Sequence, residues 1–388
     1  MNSVGNAFDC FAIVAPGLEP FALAEAQALG LGAVLEVGGI AWMGDAHSAL
    51  LANASLRIAS RVLVRLASFD ARSFAELERH ARKISWSRVL RPGDAVRFRV
   101  TCKKSKLYHS DAVAQRLADA VMRAVPGVRA EGGSAEEDER GDEDDAALIV
   151  VRLMRDRCTV SADSSGALLH RRGYRQATAK APLRETIAAA MIAAADWDGV
   201  STLIDPLCGS GTIPIEAALH ARQIAPGLHR PFAMERWPSV PPPLGERVRA
   251  ELAERVLPRG SGRIVGSDRD AGAIASADSN AERAGVRGDI ELAARSLSAV
   301  EFPSGSRGWV VTNPPYGVRV GEADRVRDLW AQLGNVLRER ASGWRVALLS
   351  PDPAFDRQLR IPWKVAASMS NGGIPVRLLV GDIPGCAP

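Results

Sequence analysis

From residue 176 onward the chain alternates short apolar runs with amphipathic ones, and few folds accept that alternation. Residues 202–205, 262–268, 289–293, 310–312 and 344–350 are short and apolar enough to be buried strands. Helical spacing separates them, in a stretch ending near 222 and in 245–256, 270–284 and 326–340. A further helix precedes them, opened by Pro182, with Leu183, Ile187, Met191 and Ala194 on one face. The tail, 363–369 and 374–380 around Asn371-Gly372-Gly373, reads as a hairpin. Strands alternating with helices build a doubly wound parallel sheet, and the terminal hairpin adds antiparallel strands at its edge. The expected fold class is therefore α/β.

Such a sheet takes ligands beyond the carboxyl ends of its strands, and two unusual stretches fall there. Thr312-Asn313-Pro314-Pro315-Tyr316-Gly317 follows an apolar run. The Asn313 side-chain oxygen and a proline carbonyl are acceptors. Pro314 and Pro315 offer no N–H and make the turn stiff, and Tyr316 adds a flat face. Two acceptors beside a flat face suit a planar ring with an exocyclic NH2, a nucleobase or an amide. The other stretch is Asp205-Pro206-Leu207-Cys208-Gly209-Ser210-Gly211-Thr212, a strand-to-helix turn. Its glycines let backbone approach a ligand, and the helix start favours a negative group. Asp205 argues against a pyrophosphate, so a zwitterion such as S-adenosyl-L-methionine fits better. Asp268, 63 residues further on beside Arg269, is placed to accept ribose hydroxyls.

The N-terminal half is organised differently. Residues 1–67 run strand, helix, two strands, helix, strand, a small α+β unit. In 68–170 a helix over 73–83 precedes a strand over 95–102, where Val96, Phe98 and Val100 alternate with Arg97, Arg99 and Thr101. Ser110 is placed to cap a helix from 111 to 124. Between the last two elements, Lys103, Lys104, Lys106, Tyr108 and His109 put cations beside aromatic rings, a pattern that can hold a phosphate backbone and stack a base. Leu169-His170-Arg171-Arg172-Gly173-Tyr174-Arg175 is a second basic cluster, a linker or a further RNA contact.

The net charge of +4 hides an asymmetry. Residues 131–145 hold nine acidic residues and one arginine, so the remainder of the chain carries +12. A basic body is compatible with a polyanionic partner, and the acidic run reads as a disordered loop. Cys10, Cys102, Cys158, Cys208 and Cys386 are scattered without a C-x-x-C pair, which argues against a zinc cluster or a disulfide framework and fits a reducing cytosol. No apolar run reaches the roughly 18 residues of a membrane span, and no signal peptide is evident. The expectation is a cytoplasmic monomer with no metal and no membrane contact.

The motifs D-P-L-C-G-S-G-T-I-P-I-E-A-A and T-N-P-P-Y-G-V-R resemble those of class I S-adenosylmethionine-dependent amino-methyltransferases. F-R-V-T-C-K-K-S-K-L-Y-H-S resembles the RNA-binding THUMP domain, and L-H-R-R-G-Y-R with A-P-L-R-E-T resembles the junction of the two in guanine-N2 methyltransferases of ribosomal RNA and tRNA. The resemblance covers residues 8–380. It implies a ferredoxin-like region over 1–67, a THUMP domain over 68–170, and a Rossmann-like methyltransferase domain over 171–388. It also implies cofactor contacts from Asp205, Pro206, Cys208, Gly209, Ser210, Gly211, Thr212, Asp268, Arg269, Ser296 and Asn313. Ser296 stands where the family commonly has an acidic residue for the adenine amino group, and a serine can still accept a hydrogen bond.

By the same resemblance, Asn313, Pro314, Pro315 and Tyr316 would form the catalytic turn. Lys103, Lys104, Lys106, Tyr108, His109, Arg171 and Arg172 would bind RNA. The expected reaction is methyl transfer to N2 of a guanine in structured ribosomal RNA or tRNA. Three alternatives stay open: an adenine-N6 methyltransferase acting on RNA or DNA, a protein glutamine methyltransferase, and an RNA-binding protein with an inactive methyltransferase fold.

Overall fold

The computed structural model describes residues 7–131, 146–175, 183–303, 307–316 and 323–384. The acidic run beyond Glu131, Pro182 and Gly317 lie outside the described residues, as does the G-V-R end of the turn motif. The chain divides into two compact units. One holds the residues up to Ile13, Ala26–Leu169 and Gly227–Glu251; the other holds Val14–Glu25, His170–Pro226 and Leu252 to the end.

The first unit contains an eight-stranded sheet. Its strands are β1 (Phe8–Ile13), β2 (Val34–Glu36), β3 (Gly39–Gly44), β4 (Arg61–Asp70), β5 (Ala95–Lys103), β6 (Arg129–Glu131), β7 (Ala147–Met154) and β8 (Arg157–Asp163). Along the sequence, α1 (Glu19–Ala28), α2 (Ala46–Ser55), α3 (Phe74–Ala81) and α4 (Ser110–Ala124) intervene. The sheet order is β2-β3-β1-β4-β8-β7-β5-β6. Its first four strands follow the chain order strand, helix, two strands, helix, strand, and β1 lies between β3 and β4, the arrangement of a ferredoxin-like unit. Strand β4 passes through position 67 and pairs with β1 on one side and β8 on the other, so the two N-terminal regions share one sheet. The β7–β8 hairpin turns on Arg155 and Asp156, both at positive φ.

Gly227–Glu251, a proline-rich stretch that lies between α6 and β10 in the sequence, packs with the first unit. Gly227 N–H donates to the Ala54 carbonyl at 2.8 Å, Met234 N–H to that of Ser164 at 3.1 Å, and the Trp237 ring meets Phe8 edge-on. Beneath these contacts Arg61 and Asp163 form an ion pair whose side chains are 5% and 2% exposed. Helix α4 begins one residue earlier than the capping serine suggested: His109 is the cap residue, without a side-chain cap bond, and Ser110 is already helical.

The second unit contains a seven-stranded sheet: β9 (Leu203–Asp205), β10 (Ile264–Asp268), β11 (Ile290–Ala294), β12 (Trp309–Thr312), β13 (Arg345–Ser350), β14 (Lys364–Asn371) and β15 (Ile374–Asp382). The order is β11-β10-β9-β12-β13-β15-β14. The first five are parallel, and the β14–β15 hairpin is antiparallel at the edge, as the sequence pattern implied. The helices are α5 (Glu185–Ala194), α6 (Thr212–Ala221), α8 (Ala271–Arg283), α9 (Ala323–Arg340) and α10 (Pro353–Leu359); α7 (Leu244–Ala253), before β10 in the sequence, lies mostly in the stretch that belongs to the first unit. On one face, Val326, Trp330, Leu333 and Leu337 of α9 pack with Ile204, Val310, Val346 and Leu348. On the other, the Trp309 indole donates to the Ala195 carbonyl at the end of α5 at 3.0 Å. Helix α5 starts at Glu185 and is buried through Ile192, so it is a core helix rather than a one-faced one. Among the described residues no helix is long and apolar enough to cross a membrane.

Candidate active site

The strand order reverses between β9 and β12, which pair in parallel through Leu203–Trp309 and Ile204–Val310. That reversal is the switch point where an open α/β sheet leaves a crevice. Both motifs end there. Asp205 closes β9 and Thr312 closes β12, and the Thr312 hydroxyl donates to Asp205 Oδ1 at 2.7 Å. Leu207 N–H donates to the same oxygen at 3.2 Å. Asp205 is 1% exposed, and burial pushes its carboxyl up to about 7 against the lowering effect of those two bonds. Oδ2 accepts no hydrogen bond from a described residue.

The turn after Asp205 is set by its glycines. Gly209 and Gly211 both lie at positive φ, 51° and 84°. A Cβ on Gly211 would stand 2.9 Å from the Ala277 Cβ on α8, whereas one on Gly209 would meet nothing within 4 Å. Gly211 is therefore required by packing and Gly209 by an open approach to the backbone. Cys208 N–H donates to the Ser267 carbonyl at 2.9 Å, tying the turn to β10. Burial holds the Cys208 thiol well above its usual range, so it stays a neutral packing group. Pro206 is buried, Ser210 is half-buried, and Thr212 starts α6.

Asp268 closes the neighbouring strand β10. It accepts from Gly209 N–H at 3.1 Å and from Asp270 N–H at 3.0 Å, one bond on each oxygen, and each oxygen keeps a further lone pair. Arg269 beside it is exposed. Ser296, past the end of β11, is exposed, and its hydroxyl lies 3.0 Å from that of Ser298. Three consecutive strand ends thus carry Asp205, Asp268 and Ser296 along one edge.

In the second motif Asn313 is half-buried, Pro314 buried and Pro315 exposed. The Tyr316 hydroxyl donates to Asn313 Oδ1 and accepts from Asn371 Nδ2 at 3.5 Å. Burial raises the Tyr316 phenol to about 12, so it remains a donor at neutral pH. The Trp330 indole donates to the Pro315 carbonyl at 3.1 Å, which fixes the turn and leaves the Pro314 carbonyl without a described partner. Thr312 stood in the quoted motif without a role. Trp330 comes from the next helix, α9, and Asn371 from β14, 55 residues beyond Tyr316, and neither carried a local signal.

The basic residues separate into two groups. Lys103, Lys104, Lys106, Tyr108 and His109 are all exposed, Tyr108 by 69%, while Leu107 between them is buried. The loop is braced by Lys106 N–H to Asp156 Oδ1 at 2.7 Å and Asp156 N–H to Ser105 Oγ at 3.0 Å, and the Tyr108 and His109 rings lie 4.1 Å apart. The junction cluster does not present such a face. The Arg172 side chain is 3% exposed and pairs with Glu216 of α6 at 3.4 Å. Arg171 is half-buried.

The zwitterion fits this arrangement. An acidic residue at the first strand end with one oxygen uncommitted suits an ammonium group, a two-oxygen acceptor at the next suits a diol, and the turn between them leaves space at Gly209.

The chain is similar to known proteins over both of its halves. Residues 172–377 match the RMKL-like methyltransferase domain family, and residues 9–63 match the RlmL ferredoxin-like domain. A protein of Synechocystis named as a candidate RNA methyltransferase is 34% identical over 95% of this chain and 95% of its own length. Ribosomal RNA large subunit methyltransferase K/L of Syntrophotalea carbinolica is 35% identical over 96% of this chain, which spans about half that relative's length, 53%. A crystal structure of a candidate methyltransferase with S-adenosylhomocysteine bound has a TM-score of 0.85, 28% identity, and coverage of 99% of this chain and 100% of that one.

Proposed function

We propose a function from one premise: the chain belongs to the family of RMKL-like methyltransferase domains, and it carries an S-adenosylmethionine-dependent methyltransferase domain of class I. The reaction is transfer of a methyl group to the exocyclic N2 of a guanine in structured RNA, with ribosomal RNA favoured over tRNA. The names of the K/L relatives support the RNA substrate, although this chain spans only about half their length. The observation that carries the chemistry is the meeting of the two motifs across β9 and β12 through Thr312 and Asp205.

S-adenosylmethionine supplies a methyl group already activated on a cationic sulfur. Asp205 takes its ammonium, Asp268 its ribose hydroxyls, and Ser296 lies beyond them at the next strand end. The backbone of Gly209–Gly211 lets the ligand approach closely. At the acceptor side, the guanine amino nitrogen is a poor nucleophile because its lone pair is delocalised into the ring. Asn313 Oδ1 and the Pro314 carbonyl accept its two N–H bonds and turn the lone pair out of the ring plane, toward the methyl group. The Tyr316 hydroxyl holds Asn313 Oδ1 in this structure. It gives up that bond as the amino group arrives, and its ring then stacks on the flipped base. The nitrogen–methyl bond forms as the sulfur–methyl bond breaks, and the displaced proton leaves to water, because an amide cannot take it. Positioning of this kind can contribute ~7–11 kcal/mol. The exposed loop of Lys103, Lys104, Lys106, Tyr108 and His109 serves as the RNA-binding face of a THUMP domain over 68–170.

Asn313→Ala tests the acceptor role. Methyl transfer should fall below detection while S-adenosylmethionine still binds; turnover at the wild-type rate would reject the role.

A further inference from the structure

We infer that the segment entering the methyltransferase domain, residues 170–175, holds the cofactor turn in place through Arg283 and Asn280, which act as positioning residues for the cofactor.

The turn has a mechanical weakness that makes such a hold necessary. Gly209 and Gly211 flank Ser210, both at positive φ, and glycine restrains backbone less than any other residue. The Ser210 carbonyl between them is held from outside, by Asn280 Nδ2 at 3.0 Å. Asn280 lies near the end of α8, is 1% exposed, and its Oδ1 accepts from the Arg283 guanidinium. The same guanidinium donates through Nε to the Tyr174 carbonyl at 2.7 Å. A continuous chain of hydrogen bonds therefore runs from the entering segment through α8 to the turn.

Two shorter routes converge on the helix that follows the turn. Arg175 reaches Thr212 Oγ1, at the first residue of α6, at 3.4 Å. It is itself fixed by the Leu183 carbonyl at 2.6 Å and the Glu185 carboxylate at 2.9 Å. One turn along α6, the Tyr174 hydroxyl donates to Glu216 Oε1 at 3.1 Å, beside the buried Arg172. Burial holds the Tyr174 phenol well above its usual range, so this donor does not titrate in any physiological window. Both ends of the glycine turn are thus referred to the same six-residue segment. The buried amide matters most, because both of its polar ends are committed and water cannot replace them. A basic segment at this place in the chain looks like an RNA contact, but Arg172, Tyr174 and Arg175 face inward.

The inference rests on the reading of Gly209–Thr212 as cofactor site, so its test uses two readouts. Asn280→Asp keeps the acceptor for Arg283 and replaces the donor to Ser210 by a carboxylate oxygen that repels its carbonyl. Calorimetry with S-adenosylhomocysteine should show Kd rising about fivefold, the loss expected for one hydrogen bond. KM for S-adenosylmethionine should rise with it while kcat stays within twofold. Amide exchange in a peptide spanning 207–213, measured without cofactor, should speed up. Arg283→Lys keeps the charge but loses the fork whose two nitrogens serve Tyr174 and Asn280, and should shift both readouts in the same direction. Arg287→Ala, which removes an exposed pair with Asp278 and a bond to the Ile290 carbonyl but touches neither the relay nor the turn, is the control and should change neither. A wild-type Kd in both relay variants would overturn the inference, whether or not exchange in the turn had changed. If the unmodified chain itself failed to bind S-adenosylhomocysteine, the cofactor reading would fall, and unchanged exchange would still reject the hold on the turn.

Discussion

Alanine at Gly211 and alanine at Gly209 should damage the protein in opposite order, depending on what is measured. Both residues sit in the left-handed region, at φ 84° and 51°, where a Cβ costs about 1–2 kcal/mol. The surroundings then separate them. At Gly211 the added carbon would lie 2.9 Å from Ala277 Cβ and 3.3 Å from Ala277 Cα, so α6 or α8 must shift; overpacking of this kind costs about 1–3 kcal/mol more. At Gly209 nothing lies within 4 Å, and no such cost arises. The expected losses are therefore ~2–5 kcal/mol for Gly211→Ala and ~1–2 kcal/mol for Gly209→Ala. Urea unfolding of the full chain would read them, using the transition that moves on addition of S-adenosylhomocysteine to identify the methyltransferase domain. Cofactor affinity should rank the other way once both variants are measured well below their unfolding midpoints, because the Gly209 carbon projects into the space left for the ligand. Equal destabilisation, or a Gly211→Ala protein within 0.5 kcal/mol of wild type, would refute the packing argument.

Other outcomes follow from charge. Burial raises the Asp205 carboxyl from 3.8 to about 7, so in the cofactor-free protein the folded state holds a proton that the unfolded state releases between those values. This group's contribution to stability therefore falls as pH rises through that window, and Asp205→Asn should be the more stable protein at pH 8 without cofactor. Ammonium binding needs the carboxylate, so Kd for S-adenosylmethionine should rise about tenfold per pH unit below 7 in the wild type and stay flat in Asp205→Asn, by calorimetry across pH. Arg61→Ala should cost about 3–5 kcal/mol in urea unfolding of the first unit, because it strands the buried Asp163 carboxylate. Lys104→Glu with Lys106→Glu should weaken RNA binding without altering cofactor affinity, and should lower the salt slope of binding by about one per lost phosphate contact.

What the sequence made legible was local. The C-terminal strands could be placed because each apolar run was bounded by its own stop signals. The Asn371-Gly372-Gly373 turn was evident, and Gly372 and Gly373 do lie at positive φ, the two-residue hairpin geometry. Helix α10 carries a local start signal of its own: Asp352 caps it through Ala354 N–H at 2.7 Å, with Pro353 in the first turn. Other features depended on partners that no local pattern names. The proline-rich stretch packs with the first unit through Ala54, Ser164 and Phe8, which lie far upstream. The helix-capping serine lost its place because His109 already occupied the cap position. Arg172 carries the charge expected of an RNA contact, and only its partner Glu216, 44 residues away, shows that it faces inward. The site motifs themselves were visible, but their junction at one switch point required the strand order, and with it the bond between Thr312 and Asp205.

The central claim is methyl transfer to guanine N2, and the most direct measurement is tritiated methyl transfer from S-adenosylmethionine to total RNA of a strain lacking this gene, followed by nucleoside mass spectrometry. The account predicts a new N2-methylguanosine peak in one RNA size class, absent with Asn313→Ala. N6-methyladenosine in its place, or no incorporation into RNA by a protein that binds the cofactor, would contradict it.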